Sequence, residues 1–139
     1  MTTGRPSPVP DELSAPFWEA ARDHRLVLQQ CEACGNLQHP PRYYCQACGG
    51  ESLTHAAVSG RGRLTTYGVV RQSLMPGYTP RVPYIFGVVE LAEQEGLRMQ
   101  AIIQVRSIEE IAIGDGVSVV WETLDGGAVL PQFAPVEHR

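Results

Sequence analysis

Cys31-Glu32-Ala33-Cys34-Gly35 and Cys45-Gln46-Ala47-Cys48-Gly49 are two copies of one pattern, with ten residues between Cys34 and Cys45. A Cys-x-x-Cys pair presents two thiolates from one tight turn, and the following glycine lets the backbone fold back beneath a metal. Two such turns facing each other supply four sulfurs in a tetrahedron, the coordination of a closed structural zinc site. The chain has four cysteines, so the expectation is that Cys31, Cys34, Cys45 and Cys48 all ligate, with no thiol left for redox or nucleophilic chemistry. Zinc is the expected ion, and iron in a rubredoxin-like site stays open because it uses the same ligands. Two disulfides would need an oxidising compartment, and no apolar signal segment heads the chain. A catalytic zinc would keep an open position; His39 is the nearest substitute ligand, but four thiolates already fill the shell.

Around this quartet lie 139 residues, enough for one modest domain or two small ones. Hydrophobic residues at 43% and charged residues at 19% describe a globular chain and argue against wholesale disorder. No apolar run reaches the roughly 20 residues that span a bilayer, and a cytoplasmic location is expected. The net charge of −4 hides an asymmetry. Between Ser52 and Val89 there is no Asp or Glu, yet Arg61, Arg63, Arg71 and Arg81 all fall there, and acids dominate from Glu90 onward. A positive middle on an acidic chain suggests one local anion-facing surface rather than a general polyanion binder. Every basic residue is Arg. Arginine's planar fork suits phosphate or carboxylate, although codon bias would give the same total.

Taken in order, Met1 to Pro10 is rich in proline and small polar residues and reads as a flexible leader. A helix is expected next, with Ser14 as N-cap, Pro16 in the first turn, and Phe17, Ala20, Ala21 and His24 on one face beside Trp18. That face packs either on its own domain or on a partner, since a Phe-Trp pair is a large apolar payload for so short a helix. Leu26-Val27-Leu28 enters the first knuckle as a strand, Pro40-Pro41-Arg42-Tyr43-Tyr44 stiffens the crossing segment, and Leu53 to Val58 leaves the ribbon. Ser59-Gly60-Arg61-Gly62 is a glycine-rich break, too short to cradle a nucleotide.

From Arg63 the pattern is β. Leu64 to Arg71 predicts a long strand with a bend or bulge at Gly68. Tyr84 to Leu91 predicts a second and Leu97 to Val105 a third, joined through Glu93-Gln94-Glu95-Gly96. The third alternates cleanly. The second is apolar on both sides, with Tyr84, Phe86 and Val88 opposite Ile85 and Val89, so both of its faces want cover. Ser107-Ile108-Glu109-Glu110 reads as a capping box opening a short helix. Val117 to Glu122 and Ala128 to Phe133 are the last two strands, joined across Asp125-Gly126-Gly127. Three strands, a short helix and two strands is the order of an OB-fold, a five-stranded, partly open barrel. The expected fold is therefore mainly β, divided into leader and helix (1–25), a rubredoxin-like zinc ribbon (26–58) and a C-terminal OB-fold (59–139).

Phe17-Trp18, Leu26 to Gln30, the two knuckles, Pro40-Pro41-Arg42, Ser59-Gly60-Arg61-Gly62, Val82-Pro83-Tyr84, Ile113-Gly114 and Pro131-Gln132-Phe133 occur in an order and spacing that carry a family resemblance. From Asp11 to Val136 the chain resembles the zinc-ribbon plus OB-fold family of acyl-CoA metabolism, long catalogued as domain-of-unknown-function family thirty-five. The resemblance implies a partner of the thiolase fold: a thiolase, a hydroxymethylglutaryl-CoA synthase, or a lipid-transfer-protein type aldolase of steroid side-chain breakdown. Some family members are fused to a hydratase, whereas this chain is expected to act as a separate subunit.

Three functions compete on the residues. An enzyme is poorly supported: His24, His39, His55 and His138 are scattered, and adjacent Glu109 and Glu110 make a poor acid/base pair. A single-stranded nucleic-acid binder would want a basic groove with aromatic rings on the second and third barrel strands, and the third has none. A non-catalytic subunit of an acyl-CoA enzyme accounts for most. It uses Phe17, Trp18, Tyr84, Phe86 and Val88 as the partner surface. Arg61, Arg63, Arg71 or Arg81 then faces CoA phosphates or an acidic patch beside the partner's active-site entrance.

Overall fold

The computed structural model describes residues 5–136 as one helix, eight strands and two single 3-10 turns. Helix α1 covers Ala15–Arg22, with proline in its first turn. Ser14 does not cap it through its hydroxyl. Instead Asp11 and Ser14 exchange bonds, the Ser14 N–H donating to Asp11 Oδ1 at 2.8 Å and the Asp11 N–H to Ser14 Oγ at 3.0 Å. Asp23 closes the helix, and His24 turns out of it with φ +57°. Phe17, Ala20 and Ala21 are buried on the inner face. Sequestering a phenylalanine side chain from water is worth about 1.5–3 kcal/mol.

The ribbon is a small sheet in the order β2-β1-β3, made of β1 (Leu26–Cys31), β2 (Leu37–Gln38) and β3 (Leu53–Val58). Antiparallel pairing runs from Leu26 opposite Val58 to Cys31 opposite Leu53. Two buried glutamines fix the segment that crosses between the knuckles. Gln29 accepts from the Arg42 N–H and donates to the Arg42 carbonyl, both at 2.8 Å. Gln38 donates to Gln29 at 2.6 Å and to the Tyr44 carbonyl at 3.0 Å, and accepts from the Gln46 N–H at 3.0 Å. The prolines restrict this segment, but the glutamines set its path by pairing backbone groups that burial would otherwise orphan.

The remaining strands, β4 (Arg61–Val70), β5 (Tyr84–Leu91), β6 (Arg98–Ile103), β7 (Gly116–Thr123) and β8 (Val129–Pro135), close a barrel in the order β4-β5-β6-β8-β7. Pairing of β4 with β7 completes the circuit, and β6 meets β8 in parallel at Ile103 and Phe133. This is the five-stranded OB architecture, and no barrel edge is left open. Leu64, Ile85, Val89, Ile103, Val117 and Phe133 fill the interior at 2% exposure or less. Phe17, Leu26, Leu28 and Leu37 belong to the same apolar cluster, so ribbon, helix and barrel share one core. Across the ribbon–barrel joint the Gln94 side chain accepts from the Leu37 N–H at 2.8 Å and donates to the Leu37 carbonyl at 2.7 Å.

Several local expectations change. Gly68 sits in regular register opposite Phe86, and the irregularity in β4 lies between Leu64 and Thr66. There the hydroxyl of Thr65 donates to the Val88 carbonyl at 2.9 Å, satisfying a group that the slip frees. The glycine-rich break ends at Gly60, because Arg61 and Gly62 already pair with Ser118 and Val117. Ser107 opens a single 3-10 turn, accepting from the Glu109 N–H rather than the Glu110 N–H of a capping box. His24 leaves the helical face and stacks on Trp121. The leader is held from residue 5: Arg5 makes a forked ion pair with Glu122, both contacts at 2.8 Å. Residues 1–4, the start of that leader, lie outside the described residues, as does His138.

Candidate metal centre and apolar groove

The two knuckles are geometric copies. Gly35 N–H returns to the Cys31 carbonyl at 2.9 Å and Gly49 N–H to the Cys45 carbonyl at 2.8 Å. Cys31 N–H donates to the Asn36 carbonyl at 2.9 Å, and Cys45 N–H to that of Gly50 at 2.7 Å. Gly35 and Gly49 adopt φ +81° and +79°, where a β-carbon would be strained. The four Sγ atoms lie within 4.8 Å of one another, with Cys31 to Cys48 at 3.7 Å and Cys34 to Cys45 at 3.6 Å. A tetrahedron with metal–sulfur bonds of about 2.3 Å has sulfur–sulfur edges of about 3.8 Å. A disulfide would bring the sulfurs to about 2.0 Å. The donor set therefore fits one tetrahedral thiophilic ion. Cys31 and Cys45 are buried, Cys34 and Cys48 exposed.

Electrostatics favour deprotonation where the backbone points at sulfur. The N–H groups of Cys48 and Ala47 draw the Cys45 thiol down to about 6, and the Cys34 N–H lowers Cys31. For Cys34 the Asn36 N–H pulls the same way, but local desolvation beside the other knuckle and the neighbouring sulfurs outweigh it and push the thiol up to about 12. A fourth negative charge among three others wants a cation.

The residues expected to meet a partner fall differently. Tyr84, Phe86 and Val88 all point outward from β5, between the inward Ile85, Gly87 and Val89. Phe86 is 42% exposed. It borders an apolar groove of about 390 Å³ whose other walls include Phe17 and Trp18 of α1, Pro40 and Pro41 of the ribbon, the 99–102 stretch of β6 and Pro131 of β8. Phe17 is itself buried, edge-on to Trp18 at 4.9 Å and stacked on His39 at 5.4 Å, so it backs the groove from below. Tyr84 does not line the groove but packs on Tyr78, which does, with 5.8 Å between rings.

The four arginines do not form one cluster. Arg61 and Arg63 are the first and third residues of β4, with Arg63 opposite Glu90. Arg71 follows the far end of that strand, about 30 Å away at 3.3 Å per residue. Arg81 lies in the 3-10 turn Thr79–Arg81, 3.5 Å from Glu122. The sequence reading missed the polar network joining these parts. Glu122 accepts both prongs of Arg5 and the Gln132 amide at 2.6 Å, while Gln132, 2% exposed, accepts from Gln104. The Arg5 fork, with help from Gln132, holds the Glu122 carboxyl below its ordinary range despite partial burial. No local pattern announces a bond spanning 117 positions.

Among the described residues the histidines sit apart: His24 on Trp121, His39 on Phe17, and His55 on β3 with a buried Nε2 that has no hydrogen-bond partner among them. Burial lowers the pKa of His39 and of His55. No helix among the described residues is long and apolar enough to cross a membrane.

Comparison with known proteins matches this architecture half by half. Residues 18–54 match the ChsH2 rubredoxin-like zinc ribbon domain, and residues 55–122 the ChsH2 C-terminal OB-fold domain. The chain is 34% identical over 131 residues to a probable enoyl-CoA hydratase alpha subunit of Thermomonospora curvata, covering 94% of this chain but only 40% of that relative. It is 33% identical over 86 residues to the benzoylsuccinyl-CoA thiolase subunit BbsA of Thauera aromatica, covering 60% of this chain and 55% of that one. Among solved structures, a chain of the Ltp2-ChsH2(DUF35) aldolase superposes with a TM-score of 0.81 at 33% identity, covering 92% of this chain and 98% of that chain. With both halves matched in order and the superposition spanning ribbon and barrel together, the chain belongs to the DUF35 family of ChsH2-type zinc-ribbon and OB-fold proteins.

Proposed function

We propose that this chain is a non-catalytic subunit that docks on a thiolase-fold acyl-CoA enzyme, a thiolase or a lipid-transfer-protein type aldolase, and supports that partner's chemistry. The observation that carries the reading is Phe86, a large ring left in water on the edge of a groove built jointly by helix, ribbon and barrel. A surface that needs all three parts of the fold is rigid, and rigid apolar surfaces suit permanent interfaces. Relatives named as a thiolase subunit and as part of an aldolase support the same choice of partner. Trp18, Tyr84 and Val88 extend the contact, and Phe17 holds Trp18 in place.

Cys31, Cys34, Cys45 and Cys48 would hold zinc in a structural role. The ion would neutralise the thiolates and lock the ribbon wall of the groove, with no open position for substrate. The partner's own residues would carry the reaction. Arg61 and Arg63, at the barrel end opposite Arg71, are the pair we assign to the CoA phosphates or to an acidic patch beside the partner's entrance.

Co-expression with thiolase-fold proteins of the same genome, followed by co-purification, tests the reading. Phe86→Glu should abolish the complex while leaving a folded, metal-loaded subunit. Undiminished co-purification of that variant, or steady turnover of an acyl-CoA by the subunit alone, would overturn it.

A further inference from the structure

The groove is not the most exposed apolar feature of the chain. Between β4 and β5 the loop 71–83 presents Leu74 at 93% exposure and Met75 at 52%. Isolated surface leucines are ordinary, but two adjacent apolar side chains at a loop tip are less so. This loop is also fixed. Thr79 Oγ1 donates to the Ser73 carbonyl at 2.9 Å, Tyr78 N–H to the Met75 carbonyl at 3.1 Å, and Met75 N–H to Ser73 Oγ at 3.3 Å. Pro76, Pro80 and Pro83 restrict it further. Gly77, at φ +81°, lies so close to Arg5 that a β-carbon there would sit 2.4 Å from the Arg5 nitrogen. Arg5 is in turn clamped to Glu122, and its guanidinium lies 5.7 Å from the Tyr78 ring. Leu74 and Met75 are thus held out in water on a braced loop.

The charge carried by the loop itself is one-sided. Residues 71–83 contain Arg71 and Arg81 and no acid. Glu122 already serves the forked Arg5, and Arg81 stands at 3.5 Å with 45% of its side chain exposed. An apolar tip with cationic shoulders is complementary to an apolar pocket with an acidic rim.

We propose that Leu74 and Met75 form a second anchor, inserted into an apolar, carboxylate-rimmed pocket of the same thiolase-fold partner that covers the groove. The anchor rests on the docking reading above. Arg5 acts as its brace, so the leading segment contributes to affinity without touching the partner. Because the loop is ordered before binding, little conformational entropy is lost on insertion.

The test uses the purified complex, with a benzophenone photo-crosslinking residue placed at Leu74 in one preparation and at Phe86 in another. The expected result is a Leu74 crosslink to a partner segment flanked by Asp or Glu. In parallel, Leu74→Ser/Met75→Ser should weaken binding at least tenfold, and Gly77→Ala several-fold although it keeps the tip intact. A Leu74 crosslink to a segment without acids, to a second copy of this chain, or to nothing while Phe86 still captures the partner would overturn the second anchor and leave the docking reading standing. Silence from both positions, together with failure of the unlabelled chains to co-purify, would overturn both.

Discussion

Removing the charge of Glu122 while keeping its shape, by Glu122→Gln, tests whether the leader is bound or merely adjacent. In the native chain three good donors converge on two carboxylate oxygens: both prongs of Arg5 at 2.8 Å and the Gln132 amide at 2.6 Å. A glutamine offers one oxygen and one NH2, so at least one donor must face another donor. The Arg5 and Glu122 side chains are only 11% and 23% exposed, so solvent screening relieves little of the loss. Gln132, at 2% exposure, has no water to turn to. Losing charge-assisted bonds worth about 1.5–3 kcal/mol predicts a destabilisation of roughly 2–3 kcal/mol. Urea denaturation of the metal-loaded chain at pH 7 measures it. A double-mutant cycle with Arg5→Met should return at least about 1 kcal/mol of coupling. The sign with pH follows from the depressed carboxyl: its contribution is present above the ordinary value of 4.5 and fades as pH falls through the lower folded value. A coupling near zero, with Arg5→Met costing nothing, would refute the clamp.

Two further outcomes follow from the joints of the molecule. Cys45→Ser removes the thiol drawn down to about 6 and should cut bound metal more than tenfold from the one equivalent per chain expected of the native protein by elemental analysis; near-stoichiometric loading of the variant would argue against a four-sulfur shell. Gln94→Ala strips Leu37 of both backbone partners and should cost about 2 kcal/mol, seen as at least tenfold faster hydrogen exchange at the Leu37 amide; unchanged exchange would mean that the joint relies on the apolar core alone.

The parts legible in the sequence are those whose cause is local. The knuckles announce themselves because two thiolates must come from one turn, and the barrel strands because side chains alternate every second residue. The two-sided apolar character of β5 is readable for the same reason, with Phe86 exposed between the buried Ile85 and Gly87. What escaped is set by distant partners. The irregularity in β4 depends on where Val88 stands across the sheet, so Thr65 carries it rather than the more conspicuous Gly68. The four arginines are close in sequence and dispersed in space, because the extended β4 separates Arg61 and Arg63 from Arg71, and Arg81 lies in the loop that follows. Gln29, Gln38 and Gln94 look like surface residues until the tertiary fold aims backbone groups at them, and Gln132 does until the fold sets Glu122 and Gln104 beside it.

Gln94 has one more consequence. By giving and receiving at Leu37, its amide imitates the main chain of a neighbouring strand, and it occupies a rim of the ribbon sheet that would otherwise invite another polypeptide to zip on. A single side chain thereby takes up the hydrogen-bonding groups by which a small sheet edge would recruit a further strand.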